Sequence, residues 1–270
     1  MTDKIVKVGN VEVANNKPFT LFGGMNVLES RDMAMRVCEK YVEVTQKLGV
    51  PYVFKASFDK ANRTSLHSFR GPGLTRGLQM LADIKEKYGL MLTTDVHESC
   101  QVEQVGEVVD VLQIPAFLCR QTDLLVAAAK TSCIVNIKKA QFLSGEDMQY
   151  PVEKCREAGA KEVWLTERGS MFGYNNLVVD FRNIPLMHQF ADRVIMDCTH
   201  SVQRPGAAGG KTGGNREYIP AMALAAQAFG ADGFFFETHP APGTAKSDGP
   251  NMLYLRDLQQ VIQSLISENK

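Results

Sequence analysis

The feature that most limits the fold of this chain is a repeated pattern of short apolar runs, each followed by a helical stretch. Eight such runs occur: FTLFGGMN (19–26), YVFKAS (52–57), LMLTTDV (90–96), VVDVLQIPA (108–116), IVNIKK (134–139), EVWLTER (162–168), VIMDCTH (194–200) and GFFFETH (233–239). Near-continuous apolar strands are typical of a parallel sheet that is buried on both faces. The stretches 34–49, 74–89, 122–131 and 216–230 have helical periodicity, and several end in glycine.

Eight strands that alternate with helices in 270 residues predict one α/β domain over 1–270, a (β/α)8 TIM barrel. A doubly wound open sheet is the alternative. The segment KIVKVGNVEVANNKP has two alternating runs around Gly9-Asn10, which predict an N-terminal β-hairpin. We expect this hairpin to close the bottom of the barrel.

Composition excludes several classes of partner. The 30 basic and 30 acidic residues give a net charge of zero, which argues against nucleic acid or an anionic membrane. The six scattered cysteines lack a Cys-x-x-Cys pair and are typical of buried thiols in a reducing compartment. The first ten residues lack the apolar core of a signal peptide, so the sequence predicts a cytoplasmic protein.

Polar residues are concentrated at the strand ends, where a TIM barrel has its active site. They are Asn26, Lys55, Ser57, Asp95, His97, Gln113, Lys138, Lys139, Glu167, Arg168, Asp197, His200, Glu237 and His239, and loops add Lys60, Asn62, Arg63 and Asp248. Any one of them can be a hydrogen-bonded structural group. Several cations at one opening of a neutral chain, however, favour an anionic substrate with phosphate and carboxylate groups. These cations are Lys55, Lys60, Lys138 and Arg168.

The glycine-rich segment RPGAAGGKTGGNRE (204–217) does not match a nucleotide-binding loop. A Walker A loop has four residues between its first glycine and the Gly-Lys pair, whereas three separate Gly206 from Gly210 here. We therefore interpret the segment as a mobile loop between a strand and a helix that closes over the site.

His200, Glu237 and Asp248 form a second constellation. One histidine and two carboxylates can hold a divalent metal, and a fourth ligand from another strand end would complete the set. A hydrogen-bonded triad without metal is the alternative, and the spacing does not decide between the two.

The chain resembles the 3-deoxy-D-manno-octulosonate 8-phosphate synthase family along essentially its whole length. The matching segments are GGMNVLESRD, PYVFKASFDKANRTS, FRGPGL, TDVHE, QIPAFLCRQTDL, NIKKAQF, ERGSMFGYNNLVVD, DCTHSVQ and ETHPAPGTAKSDGP. The resemblance implies a TIM barrel with an N-terminal hairpin. It also implies condensation of phosphoenolpyruvate with arabinose 5-phosphate and water, in the cytosolic pathway to the inner sugar of Gram-negative lipopolysaccharide.

The resemblance also implies the binding residues. Those for phosphoenolpyruvate are Lys55, Ser57, Lys60, Gln113, Ala116, Lys138, Arg168 and His200, with Arg120 supplied by a neighbouring subunit of a homo-oligomer, typically a tetramer. Those for arabinose 5-phosphate are Asn62, Arg63, Thr64 and Asp95, with Arg63 and Thr64 on the distal phosphate. We expect Lys138 and His200 to handle protons near C2 of phosphoenolpyruvate, and Asp95 to assist at the aldehyde.

Two alternatives differ in the substrate or in the chemistry. The related 3-deoxy-D-arabino-heptulosonate 7-phosphate synthases use erythrose 4-phosphate and have Lys-Pro-Arg-Thr where this chain reads Lys60-Ala61-Asn62-Arg63-Thr64. The longer loop offers an amide to a longer sugar and favours arabinose 5-phosphate. A non-catalytic sugar-phosphate binding protein is the weaker alternative, because the strand-end groups are all present.

Asn26 separates two classes within the family. In the metal-dependent class, a cysteine at this position joins the histidine, glutamate and aspartate as a ligand, and in the other class it is asparagine. An amide is a poor substitute for a thiolate, so Asn26 and the nearby Pro250 predict a metal-independent enzyme without cofactor. Asn26, Glu237 and Asp248 are then expected in the catalytic set, with His200, Glu237 and Asp248 as a weak residual metal site.

Overall fold

The structure is a computed structural model that describes residues 6–8, 11–13, 19–171, 176–208 and 211–267. Two short N-terminal strands, β1 (Val6–Val8) and β2 (Val11–Val13), pair antiparallel. The turn predicted at Gly9-Asn10 lies outside the described residues, and the closure of the barrel bottom by this hairpin stays a prediction.

The barrel strands follow in chain order. They are β3 (Thr20–Val27), β4 (Tyr52–Ser57), β5 (Met91–Asp95), β6 (Val111–Ile114), β7 (Ile134–Lys138), β8 (Val163–Glu167), β9 (Arg193–Asp197) and β12 (Gly233–His239). Two further strands, β10 (Gln203–Ala208) and β11 (Lys211–Gly214), lie between β9 and β12 in the chain and form a separate hairpin. Each barrel strand pairs in parallel with its neighbours, and β12 pairs with both β3 and β9. The sheet is therefore closed, which confirms the predicted (β/α)8 barrel and excludes the open doubly wound sheet. A short strand, β13 (Leu253–Tyr254), pairs in parallel with the carboxyl end of β12.

Helices surround the barrel. They are α1 (Arg31–Leu48), α2 (Leu74–Tyr88), α3 (Val102–Gly106), α4 (Thr122–Ala129), α5 (Gln149–Glu157), α6 (Asn183–Met187), α7 (Ile219–Ala228) and α8 (Leu258–Ser267). Helix α1 begins where Ser30 Oγ accepts the Met33 N–H at 3.2 Å, and it ends at Gly49, whose φ of 66° suits glycine. No helix of the described residues is long and apolar enough to cross a bilayer.

The barrel interior changes character along its axis. A lower apolar layer takes one residue from each strand: Phe22, Val53, Met91, Val111, Ile134, Trp164, Ile195 and Phe235. Because side chains two residues apart share a face, the next interior layer is Gly24, Lys55, Thr93, Gln113, Asn136, Thr166, Asp197 and Glu237. The apolar layer thus supports a buried polar layer, and this polar layer is the floor of the site.

Aspartates stabilise the opposite, amino-terminal end of three strands. Asp110, Asp192 and Asp232 each precede a strand and accept a backbone N–H at the start of the previous strand, at 2.7–2.9 Å. The donors are Leu92, Val163 and Val194. Each aspartate therefore links two neighbouring strands at the end of the barrel away from the site.

The glycine-rich segment 204–217 lies between strand β9 and helix α7, and its closure over the site stays a prediction. The strands β10 and β11 form an antiparallel hairpin, and Gly209-Gly210 lies outside the described residues. A Cβ on Gly214 would lie 2.5 Å from the Cβ of Asn251, so the hairpin base packs directly on the loop after β12. Glycine permits this close approach, because any side chain at residue 214 would push that loop away.

Candidate active site

A cavity of about 1250 Å³ opens at the carboxyl ends of the barrel strands. The predicted residues that line it are Lys55, Lys60, Asn62, Arg63, Thr64, Asp95, His97, Gln113, Ala116, Lys138, Arg168, His200 and Asp248. Asn26, Ser57 and Glu237 are fully buried and contact residues of that lining. The structure thus brings together residues from all eight barrel strands or the loops that follow them.

Asp95 is the centre of one half of the site. Its two carboxylate oxygens accept hydrogen bonds from Ser57 Oγ and Gln113 Nε2, and Lys60 Nζ lies 3.4 Å from Oδ2. Burial alone would raise the pKa of Asp95, but the charges of Lys55 and Lys60 outweigh it and hold the pKa well below its ordinary value. Asp95 is therefore a fixed carboxylate.

Lys55 and Lys60 differ although they are close together. Lys55 Nζ lies between Asp95 at 3.7 Å and Glu237 at 3.3 Å, and these two carboxylates outweigh burial and raise the pKa of Lys55. Burial and the neighbouring charge of Lys55 lower the pKa of Lys60. Lys60 is the cation with less compensation, so a bound anion would stabilise its charge.

Lys138, Asp197 and His200 form the other half of the site. Asp197 accepts hydrogen bonds from Lys138 Nζ and, at 2.7 Å, from His200 Nδ1. Burial would raise the pKa of Asp197, but the charges of His200 and Lys138 prevail and lower it far below its ordinary value. With Nδ1–H held by Asp197, His200 presents Nε2 toward Glu237, whose Oε2 is 3.4 Å away.

Arg168 completes the set of cations. Its Nη2 donates to Gln203 Oε1 at 2.7 Å, and its side chain lines the cavity. Burial lowers the pKa of Arg168, with Asp197 opposing this effect. The guanidinium is thus oriented by a neutral amide, which leaves its charge for a ligand.

The residues that can hold a metal lie close together. Ligand atoms of His200, Glu237 and Asp248 are all within 4.8 Å of one another, and Glu237 Oε2 has no hydrogen-bond partner among the described residues. Asn26 Nδ2 donates to Asp248 Oδ2 at 2.6 Å, the oxygen that lies 3.9 Å from His200 Nε2. Asn26 therefore presents a hydrogen-bond donor to one of the potential metal ligands.

The loop after β12 holds Asp248 in an unusual backbone conformation. Asp248 has a φ of 50° and is the one non-glycine with positive φ in the described ranges. A Cβ on Gly249 would lie 2.3 Å from the Pro242 carbonyl oxygen, and Arg216 Nη2 donates to the Gly249 carbonyl at 2.8 Å. The surrounding contacts stabilise the strained backbone of Asp248, and such strained residues are common at functional sites.

Several predicted residues lie outside the cavity lining. Lys139 and Glu167 pair at 3.4 Å on the outer face of the barrel, where Lys139 Nζ also donates to the carbonyls of Leu143 and Gly169. Burial lowers the pKa of Lys139. These two residues fix the loops after β7 and β8, and Glu167 Oε1 also accepts the backbone N–H of Arg168 at 2.9 Å.

Two more predicted positions are also apart from the cavity. His239 is buried beside Glu29, with Nε2 3.7 Å from Oε1. Arg120 is exposed and is not in the lining of its own chain's cavity. A role of Arg120 in the site of another subunit stays a prediction.

Several polar residues of the site are not predicted from the sequence. Gln203 orients Arg168, Arg216 contacts the loop of Asp248, Ser247 contacts Asn26, and Gln141 lines the cavity. Asp197 is one of the strand-end residues, but the sequence assigns it no role. Once the structure places Ile195 of β9 in the barrel interior, strand alternation places Asp197 there as well, whereas no local pattern indicates the loop residues.

The fold and this site define a (β/α)8-barrel enzyme with a pocket for an anionic substrate. The chain belongs to the DAHP synthetase I family, whose sequence model matches residues 3–269. It is 54% identical to the 2-dehydro-3-deoxyphosphooctonate aldolase of Pseudomonas putida over 265 residues, 98% of this chain and 94% of that protein. Proteins with the same name from Azotobacter vinelandii and Shewanella oneidensis are also 54% identical, with the same coverage.

Proposed function

We propose that this chain condenses phosphoenolpyruvate with D-arabinose 5-phosphate and water to give 3-deoxy-D-manno-octulosonate 8-phosphate and inorganic phosphate. This is the activity of a 2-dehydro-3-deoxyphosphooctonate aldolase, a transferase of lipopolysaccharide biosynthesis. The observation that carries the proposal is the cationic cavity at the barrel mouth, in a chain that is 54% identical over 98% of its length to relatives of that name.

Phosphoenolpyruvate would bind at the inner end of the cavity. Lys138 ends β7 and Arg168 follows the adjacent strand β8, and because both line the cavity we infer that they hold one phosphate together. Lys60 would neutralise the carboxylate, because its charge is the less compensated one beside Asp95. Charge-assisted hydrogen bonds to phosphate and carboxylate are stronger than neutral ones, so these cations supply both affinity and orientation.

Arabinose 5-phosphate would bind at the outer end. Asn62, Arg63 and Thr64 lie in the loop after β4 and line the same cavity. We infer that Arg63 and Thr64 hold the distal phosphate and that Asp95 faces the aldehyde. A cavity of about 1250 Å³ has room for both substrates at once.

In the reaction, C3 of phosphoenolpyruvate would attack the aldehyde carbon, and water would add at C2. Positive charge develops at C2, and the C–O bond to phosphate breaks after water addition. Preorganised charges and contact between two bound substrates supply the rate enhancement. Lys138 and His200, both hydrogen-bonded to Asp197, are the groups that we infer to move protons near C2 and the bridging oxygen.

We propose that the reaction needs no metal ion. The Asn26 amide N–H lies on Asp248 Oδ2 at 2.6 Å, and flipping the amide would place its oxygen against that carboxylate. The amide is therefore fixed as a donor where a metal-dependent site needs a further ligand. His200, Glu237 and Asp248 alone offer a set of three ligands that would bind a divalent ion weakly.

Two further features belong to this proposal. The enzyme would act in the cytoplasm of a Gram-negative bacterium. It would form a homotetramer in which Arg120 enters the phosphoenolpyruvate site of a neighbouring subunit, which agrees with its exposure and its absence from the lining of its own chain's cavity.

Phosphate release from phosphoenolpyruvate tests the proposal. We expect release with arabinose 5-phosphate, little release with erythrose 4-phosphate, and no change after treatment with EDTA. Erythrose 4-phosphate is the control for the related heptulosonate synthase reaction, after which the DAHP synthetase I family is named.

Other outcomes would contradict separate parts of the proposal. Release with erythrose 4-phosphate alone would assign the heptulosonate reaction. Binding of both substrates by calorimetry without phosphate release would indicate a binding protein. Activity that is lost with EDTA and restored by a divalent ion would contradict only the metal-independent assignment.

A further inference from the structure

Ser247 lies between two parts of the site that act on different groups. It is 3% exposed, and its Oγ accepts hydrogen bonds from Asn26 Nδ2 at 2.8 Å and from Arg63 Nη1. A hydroxyl oxygen has two lone pairs, so these two donors occupy both. Ser247 thus joins Asn26 at the end of β3 to Arg63 in the loop after β4.

The orientation of Arg63 depends on this link. Its Nη2 donates to the Lys246 carbonyl at 3.3 Å, so Ser247 and Lys246 together bind two nitrogens of one planar group. Two contacts to a rigid fork fix its plane. Three N–H groups of Arg63 are then left for an anion, as far as the described residues supply partners.

The other side of the link is equally constrained. Asn26 Nδ2 donates to Ser247 and to Asp248 Oδ2, so both amide hydrogens act on consecutive residues of one loop. Asp248 is the residue with the positive φ of 50°. A change at Ser247 would therefore be felt by the guanidinium on one side and by the amide on the other.

We propose that Ser247 is a positioning residue for the sugar phosphate: it fixes the guanidinium of Arg63 and couples it to Asn26. The inference rests on the proposed function, since Arg63 is taken to bind the distal phosphate of arabinose 5-phosphate. Ser247 itself does not contact the substrate in this scheme. Its effect reaches the substrate through Arg63.

A double-mutant cycle on the full chain tests this link. We would measure kcat and KM for both substrates in Ser247→Ala, Arg63→Ala and the double variant, with Ser267→Ala on the exposed face of α8 as the matched control. Ser247→Ala should raise KM for arabinose 5-phosphate about tenfold, because one hydrogen bond to a charged group is lost. KM for phosphoenolpyruvate should change less than about twofold and kcat less than about threefold.

The cycle separates a link through Arg63 from a general structural effect. In the Arg63→Ala background, Ser247→Ala should give no further rise in KM for arabinose 5-phosphate, and Ser267→Ala should match the wild type. Equal effects of Ser247→Ala in both backgrounds, or an equal rise in KM for phosphoenolpyruvate, would overturn the inference. Ser247→Gly carries the same test if Ser247→Ala does not fold.

The wild-type chain distinguishes this inference from the proposed function. Turnover of arabinose 5-phosphate by the wild type, together with additive effects in the cycle, would overturn the role of Ser247 and leave the function intact. Absence of wild-type turnover would overturn both.

Discussion

At the scale of single residues, the site is a set of compensated charges. Asp95 and Asp197 are each buried, and each is held ionised by two basic neighbours. The lysines beside Asp95 differ in the direction of their pKa shifts. Two carboxylate partners raise the pKa of Lys55, whereas burial lowers the pKa of Lys60. A buried cation with incomplete compensation gains most from a bound anion.

This difference predicts a pH dependence for phosphoenolpyruvate binding. A lysine whose pKa lies below its ordinary value of 10.5 loses its charge at a lower pH than an exposed lysine. We therefore expect KM for phosphoenolpyruvate to rise as the pH rises through the alkaline range below 10.5. In Lys60→Arg the charge persists, so this rise should disappear or move to higher pH.

Steady-state kinetics between neutral and alkaline pH would measure the effect. Lys161→Arg, at an exposed position outside the cavity lining, is the matched control and should follow the wild type. Superimposable profiles for Lys60→Arg and the wild type would show that another group controls the alkaline change.

At the scale of elements, the two ends of the barrel use carboxylates differently. At the carboxyl ends they balance the cations of the site, and at the amino ends Asp110, Asp192 and Asp232 accept backbone N–H groups of neighbouring strands. Each is also near a basic side chain, for example Lys85 at 2.9 Å from Asp110. These aspartates therefore support strand register at a distance from the chemistry.

Asp110→Ala should lower stability without changing the reaction. The variant leaves the Leu92 N–H without its acceptor, and the expected loss is about 1–3 kcal/mol in the free energy of unfolding. Urea denaturation at a fixed protein concentration measures this loss, while KM for both substrates should remain unchanged.

Asp257→Ala is the comparison for Asp110→Ala. Its carboxylate is 44% exposed and pairs with exposed Arg256 at 3.6 Å, so the loss should be below about 1 kcal/mol. A loss for Asp110→Ala that is no larger than this would show that the strand link contributes little.

At the scale of the whole molecule, one predicted site residue is not explained by a single chain. Arg120 is exposed, and Phe117 and Phe142, in the loops after the adjacent strands β6 and β7, are 52% and 63% exposed although they are large and apolar. Phe117 also lines the cavity. A second subunit that covers the loops after β6 and β7 would bury both phenylalanine rings. It would also bring an arginine to the opening of the cavity, as the tetramer proposal requires.

Mixed oligomers test whether sites are shared between subunits. Arg120→Ala and Lys138→Ala should each lower kcat/KM for phosphoenolpyruvate by about tenfold or more. After the two variants are unfolded together and reassembled, some sites would combine an intact Lys138 with an intact Arg120 of a neighbour. Activity should then recover to a fraction of the wild-type value.

Each variant taken alone through the same reassembly is the control and should stay impaired. A mixture with no more activity than the two controls would place Arg120 in its own subunit's site or outside the site. Light scattering should give a mass of about four 29.9 kDa chains for the wild type and both variants.

The sequence by itself determined the strands, their ends and most of the site, because these depend on local patterns. Eight apolar runs predict eight strands, and a barrel places its chemistry where such strands end. The pair Lys138 and Lys139 shows the limit of this reasoning. Both end the same strand, yet Lys138 lines the cavity and Lys139 pairs with Glu167 outside.

Only the tertiary structure decided which alternate residues of each strand face the barrel interior. The alternation of side chains along a strand is a local property, but the pairing of β9 with β12 that closes the barrel is not. The same holds for Ser247, Arg216 and Gln203, which reach the site from loops. Their contacts join residues up to 221 positions apart, as between Asn26 and Ser247. Such contacts follow from packing of the closed barrel, and no run of neighbouring residues encodes them.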